Sequence, residues 1–359
     1  MCPPHRPGTH VTAISANTIT YSPWRPAWLA RHVEPVILPE QPIIDAHHHV
    51  WDSPRQRYMI DDLLADLNSG HDIRATVYVD CRSMYRARGP EAFRPVGEVE
   101  FANGIAAIGA SGAYGPTRLC AAIVGHADLR LGAAAQPVLE ALVRAGNGRL
   151  RGIRQVTATD PDPLVLAPAA LKPPGMLTDP AFRAGFARLA PLGLSFDAFV
   201  YHHQLDEVTD LAQAFPSATI ILDHVGGPIG IGGYASRRDA VFADWRAALR
   251  RLSLCPNVLV KIGGMGMRMF GFGFEQGEDP PSSEQLAAAW RPYFETCVEA
   301  FGPGRSMLES NFPPDKGSCG YAVLWNAFKR LAGPLSDGER MALFHDTAAR
   351  AYRIESGGC

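Results

Sequence analysis

Short apolar, β-branched runs alternate along the chain with segments whose apolar residues recur every three to four positions. The strand-like runs are "PIIDAHHHV" (42–50), "ATVYVD" (75–80), "CAAIVGHA" (120–127), "LRGIRQV" (150–156), "LSFDAFVYH" (194–202), "TIILDHV" (219–225), "NVLVKIG" (257–263) and "RSMLES" (305–310). Helical spacing appears in "QPVLEALVRAG" (136–146), "LDEVTDLAQAF" (205–215), "DAVFADWRAALRRL" (239–252) and "SEQLAAAWRPYFETCVEAF" (283–301). Eight strands, each followed by a helix or a long loop, predict an α/β fold of the (β/α)8 (TIM) barrel type. A doubly wound open sheet is the alternative, and no glycine-rich dinucleotide or phosphate loop supports it.

Residues 1–40 break this rhythm. Pro3, Pro4, Pro7, Pro23, Pro26, Pro35 and Pro39 exclude a long helix or strand, while Trp24 and Trp28 call for apolar partners. The segment reads as an extended arm packed on its own domain or on a second subunit, and the latter arrangement would make a homodimer. The barrel domain then occupies 41–359. Two connections, Cys81 to Gly115 and Gly263 to Ser283, are long and leave the C-terminal rim, where barrel sites are built. The second mixes glycine with Met265, Met267, Met269 and Phe270, as an apolar lid would.

Composition bears on function. Hydrophobic residues make up 47% of the 359, charged residues 19%, and the formal net charge is -2. Nothing favours nucleic acid or a membrane surface, so a small-molecule substrate is the expected partner. Seven scattered cysteines without a CxxC pair favour a reducing compartment. The first residues lack an apolar signal core and no run is long enough to span a bilayer, so the cytoplasm is the expected location.

In "IIDAHHHVWD" (43–52), strand alternation puts Asp45, His47 and His49 on one face and His48 on the other. Two imidazoles at i and i+2 can share a cation; a solvated strand end is the bland alternative. The other strand ends shift the balance. His202 and His203 end the fifth, His224 the sixth, and Glu309, Ser310 and Asn311 the eighth; Asp80 ends the second. Arg154, near the end of the fourth, suits bidentate binding of a substrate carboxylate, with an internal salt bridge an equal alternative. Arg82, Tyr85, Lys261 and Arg268 could extend an anion-binding rim. Asp45 is expected to orient a neighbouring histidine.

The stretches "DAHHHVWD", "RGIRQ", "DHVGGP" and "ESNFPPDK…YAVLWNAFKRL" resemble the amidohydrolase superfamily, in its amidohydrolase-related, lactonase-like branch. The resemblance runs from about Pro42 to Arg353. It implies a metal-assisted hydrolase in which His47, His49 and His202 are metal ligands, His203 lying one register from the last. It also implies that His224 is a ligand or an acid/base. The implied cofactor is a divalent ion, Zn2+ or Mn2+, although some lactonases of this branch work without a metal. The chain departs from the family pattern at its eighth strand, where SDxP reads "SNFP". Asn311 offers a neutral carbonyl oxygen and cannot take a proton from water. His224 is the first candidate for that task, because an imidazole suits proton transfer near neutrality; Glu309, on Asn311's face one layer deeper, and Asp80 follow.

The expected activity is therefore hydrolysis of a small lactone or related ester carrying a carboxylate. Non-oxidative decarboxylation of an aromatic or dienoic acid on the same ligands is the first alternative. A catalytically inactive barrel used for binding is the second, with Asn311 as its support.

Overall fold

The structure, a computed structural model, describes residues 22–53, 56–166 and 172–355. The first three prolines of the arm, Cys2 and Cys359 lie outside the described residues. Eight parallel strands follow one another in chain order: β1 Pro42–His48, β2 Asp72–Val79, β3 Arg118–Gly125, β4 Leu150–Arg154, β5 Ser195–Ala198, β6 Ile220–Leu222, β7 Val258–Ile262 and β8 Ser306–Leu308. The ring closes just past β8. Asn311 N donates to His47 O at 2.9 Å and His49 N to Phe312 O at 2.8 Å. The fold is thus the expected (β/α)8 barrel, and the open-sheet alternative is set aside by these closing bonds.

Helices α1 Ile60–Leu67, α2 Val96–Ala110, α3 Gln136–Ala145, α4 Pro180–Phe186, α5 Leu205–Ala214, α6 Arg238–Ser253, α7 Ser283–Phe301 and α8 Tyr321–Leu331 surround the sheet. Where the sequence carries a capping signal, the start is sharp. Ser282 and Gln285 form a reciprocal capping box at the head of α7. Helix α2 falls inside what the apolar pattern gives as a long loop. Its apolar residues do not form one stripe, and Gly97, Gly104 and Gly109 interrupt it. Two of those glycines serve close packing: a Cβ at Gly109 would meet Leu119 at 3.0 Å, and one at Gly97 would meet Met84 O at 2.6 Å.

The lower part of the barrel interior is apolar. Ile44, Ala46, Val77, Val79, Ala122, Val124, Ile221 and Met307 pack against Ala348 and Tyr352 from the C-terminal helical stretch. The interior above this plug is polar. Among the described residues no helix is long and apolar enough to cross a membrane, and Cys81, Cys120, Cys255, Cys297 and Cys319 carry free thiols.

The described part of the arm packs on its own barrel. Trp24 lies edge-on to Tyr58 with ring centroids 5.7 Å apart. After one helical turn, Pro26–Leu29, the strap crosses the far end of the Gly263–Ser283 connection. The Trp28 indole donates to the carbonyls of Gly277 and Glu278 at 3.1 and 2.9 Å. Arg31 pairs with Asp279 at 2.7 Å, and Glu34 accepts from Ser283 N at 2.7 Å. Trp28→Ala removes both indole bonds and a buried ring. Local opening of the strap should then rise by about tenfold or more, at about 1 kcal/mol per lost hydrogen bond plus apolar burial. Trypsin cleavage after Arg31 measures it, and an unchanged cleavage rate would show that the indole does not hold the strap.

Candidate active site at the barrel mouth

The first strand does not keep a plain alternation. Asp45 lies opposite Thr76, but His48 lies opposite Tyr78, so β1 carries one extra residue between them. This bulge changes which side chains share a face. Asp45 turns outward, accepting from Ser310 N at 2.8 Å, Ser310 Oγ at 2.6 Å and Tyr321 Oη of α8 at 3.0 Å. Ala46 joins the interior plug, and His47 and His49 also point inward. His48 faces Tyr78 outside the barrel. The expected Asp45–His47–His49 face is corrected accordingly: Asp45 braces the main chain at His47 N, 3.3 Å away, and reaches no imidazole ring. Asp45→Asn should cost on the order of 2–3 kcal/mol, because an amide NH2 would then face donors in a buried pocket. Urea melts measure it, and a loss under 0.5 kcal/mol would remove Asp45 from barrel closure.

His47 stands at the centre of a buried polar cluster. Its Nε2 lies 3.3 Å from His49 Nε2 and 3.2 Å from Arg154 Nη1. Its Nδ1 lies 2.9 Å from Glu309 Oε2 and 3.2 Å from Lys261 Nζ. Glu309 Oε1 meets His224 Nδ1 at 2.7 Å. Lys261 donates to Asp197 Oδ2 at 2.8 Å and lies 3.1 Å from Asp223 Oδ1, and Tyr352 Oη reaches Asp197 from the plug at 2.6 Å. Arg154 donates from Nε to Asp80 Oδ1 at 2.8 Å, and from Nη2 to Asp80 O.

Burial and the adjacent Lys261 hold His47 well below the usual imidazole range, and burial with Arg154 does the same for His49. Both rings are therefore neutral. His49 Nδ1 lies 2.9 Å from the Val79 carbonyl; that contact puts its proton there and leaves the Nε2 lone pair turned toward His47. Burial alone would raise Glu309, but the imidazoles of His224 and His47 against its two oxygens bring it down to about 2.

Of the other sequence candidates, some lie away from the cluster and some are buried in it as internal partners. β5 ends at Ala198, so His202 sits in the turn beyond it. There its Nδ1 accepts from Ile229 N at 3.4 Å and its ring packs on Tyr234. It is not brought to the cluster, and neither is His203, beside Thr159 O and Asp160. Lys261 is fully buried rather than on a rim. Arg154 is buried as well, its donors directed at Asp80 and His47. Arg82 and Arg268 are exposed, and Tyr85 stacks on His126 with centroids 6.5 Å apart. Asn311 sits beside Asp315, whose carboxyl burial pushes up to about 7. Three participants were missed from the sequence: Asp197, Asp223 and Asp315. The first two stand inside quoted strands, where a β period of two through Lys261's neighbours would have pointed them inward.

Met265, Met267, Met269 and Phe270, the residues expected to form a lid, are buried. The root of this lid touches the chemistry directly. A Cβ at Gly264 would come within 2.4 Å of His224 Nδ1, and one at Gly263 within 2.4 Å of the Glu309 side chain. His47, His49, His224 and Glu309 are at most 4% exposed.

His47, His224 and Glu309 each offer a ligand atom, and these atoms all lie within 4.8 Å of one another. Two imidazoles and a carboxylate suit a zinc-like ion. Glu309 Oε2 and both oxygens of Asp223 make no well-aligned hydrogen bond among the described residues. Four carboxyl groups (Asp80, Asp197, Asp223 and Glu309) face two fixed cations, so the cluster has room for further positive charge. These residues fit a divalent ion. The sequence profile of the amidohydrolase family matches residues 44–354. The chain belongs to the amidohydrolase family. It is 33% identical over 334 residues to the uncharacterized protein y4mH of Sinorhizobium fredii, covering 87% of this chain and 98% of that one. It is 27% identical over 322 residues to L-fucono-1,5-lactonase of Burkholderia multivorans, covering 87% and 96%. A crystal structure of an amidohydrolase from Burkholderia multivorans with bound zinc superposes with a TM-score of 0.67 at 26% identity, covering 87% of this chain and 99% of that one.

Proposed function

We propose that this amidohydrolase-family protein hydrolyses a small lactone or related ester. The observation that carries the reading is the buried His224–Glu309 pair, 2.7 Å apart and next to His47. Glu309, ionised, accepts from His224 Nδ1 and leaves the other ring nitrogen to take a proton from water attacking the ring carbonyl. A carboxylate behind an imidazole fixes its tautomer and stabilises the imidazolium that forms. Similarity to an L-fucono-1,5-lactonase supports the substrate class. The expectation of a carboxylate on the substrate rested on Arg154, with Arg82, Tyr85, Lys261 and Arg268 as a possible rim. Arg154 and Lys261 are paired with internal carboxylates, which favours an uncharged lactone.

A divalent ion held by His47, His224 and Glu309, zinc or manganese, would polarise the carbonyl and lower the pKa of bound water. Ion binding and proton transfer both draw on His224, so one excludes the other. Acid release from sugar-derived 1,5-lactones, followed with a pH indicator, tests the activity; CO2 release from aromatic acids without acid release from lactones would replace it with decarboxylation. Metal analysis separates the two uses of His224. If an ion is held, Glu309→Gln lowers its stoichiometry and chelation removes turnover. Full turnover in metal-free protein would assign His224 to proton transfer.

A further inference from the structure

The reaction proposed above meets an asparagine where the family pattern has an aspartate, and the structure shows what holds that asparagine. Asn311 Nδ2 donates to Asp315 Oδ1 at 2.7 Å. The other oxygen of Asp315 accepts from Gly266 N, also at 2.7 Å, in the lid root. Gly266 O in turn accepts from Ser318 Oγ at 2.6 Å. The main chain is pinned as well: Asn311 N donates to His47 O at 2.9 Å and Asp315 N to Asn311 O at 3.1 Å. Asn311 takes a left-handed φ of 52°, a conformation asparagine tolerates better than most residues. Asp315 is fully buried and Asn311 1% exposed.

Above the value of about 7 to which burial pushes it, Asp315 is ionised and only accepts, so the amide nitrogen of Asn311 faces Asp315 and the carbonyl oxygen faces the other way. Among the described residues that oxygen accepts no hydrogen bond. Asn311 N is hydrogen-bonded to His47 O, and Asp315 holds Gly266, two residues beyond the Gly264 that abuts the His224 ring. The free acceptor therefore borders the His47–His224 cluster. We propose that Asp315 is a positioning residue that locks the Asn311 carboxamide, so that its carbonyl oxygen orients the attacking water while His224 takes the proton.

The family's aspartate could not simply be restored here. A carboxylate at position 311 would stand against Asp315 at hydrogen-bond distance, and two carboxyl groups so close cannot both ionise. The amide at 311 and the carboxylate at 315 thus belong together, and exchanging them should be better tolerated than changing either alone.

The inference rests on the hydrolytic reading, and its test has one arm that does not. Kinetics at pH 8.5 should show Asp315→Asn lowering kcat by about 10- to 100-fold, with KM within about threefold, because the amide can then flip. Asn311→Asp should lose a comparable factor. The double exchange N311D/D315N should recover most of the loss, a rescue that a merely structural pair would not give at constant KM. The independent arm is NMR of the Asn311 side-chain amide. The lock predicts two well-separated, slowly exchanging NH2 protons in the wild-type protein that broaden or merge in D315N. Wild-type kcat in D315N, or a double exchange no better than N311D alone, would overturn the proposal. So would an Asn311 amide unchanged in D315N, even if no lactone were ever hydrolysed.

Discussion

Replacing His224 by Gln is expected to lower lactone turnover by about 10²- to 10⁴-fold with the barrel intact, the range general acid–base catalysis contributes. Among the described residues, His224 is the imidazole of the cluster that has an ionised carboxylate on one nitrogen and no hydrogen bond to the other. His47 has a cation beside each nitrogen, and His49 is turned to the Val79 carbonyl. Position 224 is also built with care. His224 and Val225 take consecutive left-handed φ values of 53° and 49°, which non-glycine residues hold only under constraint from their surroundings. Glu309 Oε1 also accepts from His224 N at 3.2 Å, so one carboxylate oxygen fixes both ring and backbone. The lid reinforces this, because Gly264 leaves no room for a side chain against the ring. Glutamine at 224 keeps the size and removes the base, so melting temperature should hold while kcat falls. Wild-type turnover in this variant would move the proton-transfer role elsewhere.

The barrel was legible because most strands carry a β-branched apolar run and several connecting helices keep their 3.6 period. Where that logic failed, tertiary packing had overridden it. α2 hides behind glycines that permit close approach to Leu119 and Met84, and a bulge reversed Asp45. The candidate site was legible in part. His224, Glu309 and His47 announce themselves at strand ends, and the structure brings them together. Nothing local says that β5 stops at Ala198, and those four missing residues carry His202 off the cluster. Asp197 and Asp223 were not singled out because a carboxylate in an apolar strand has meaning only once its cation is known. Lys261 and Arg154 looked like substrate-binding groups for the same reason: charge at a strand end does not reveal whether its partner is a ligand or the next strand.

That internal pairing sets the largest expected effect on stability. Lys261→Met should destabilise the protein by about 3–5 kcal/mol at pH 8, the cost of leaving buried carboxylates without their cation. The ammonium is fully buried between Asp197 and Asp223. Burial alone would lower its pKa, but the two carboxylates reverse this and raise it. A lysine raised in the folded state contributes stability that is complete below its unfolded pKa and is lost only as pH rises through the folded value. The wild-type contribution of Lys261 is therefore flat from pH 5 to 8. The variant should behave differently. Without the ammonium, the Asp197–Asp223 pair favours a proton, and an acid with a raised folded pKa loses stability as pH rises. The deficit should thus shrink toward pH 5 and be largest at pH 8. Adding Asp197→Asn removes one of the stranded charges and should recover part of the loss, a coupling that a packing defect would not produce. Urea denaturation of the wild type, K261M and D197N/K261M at both pH values decides it. A deficit independent of pH and additive with D197N would mean that Lys261 acts through its aliphatic stem and not through its charge.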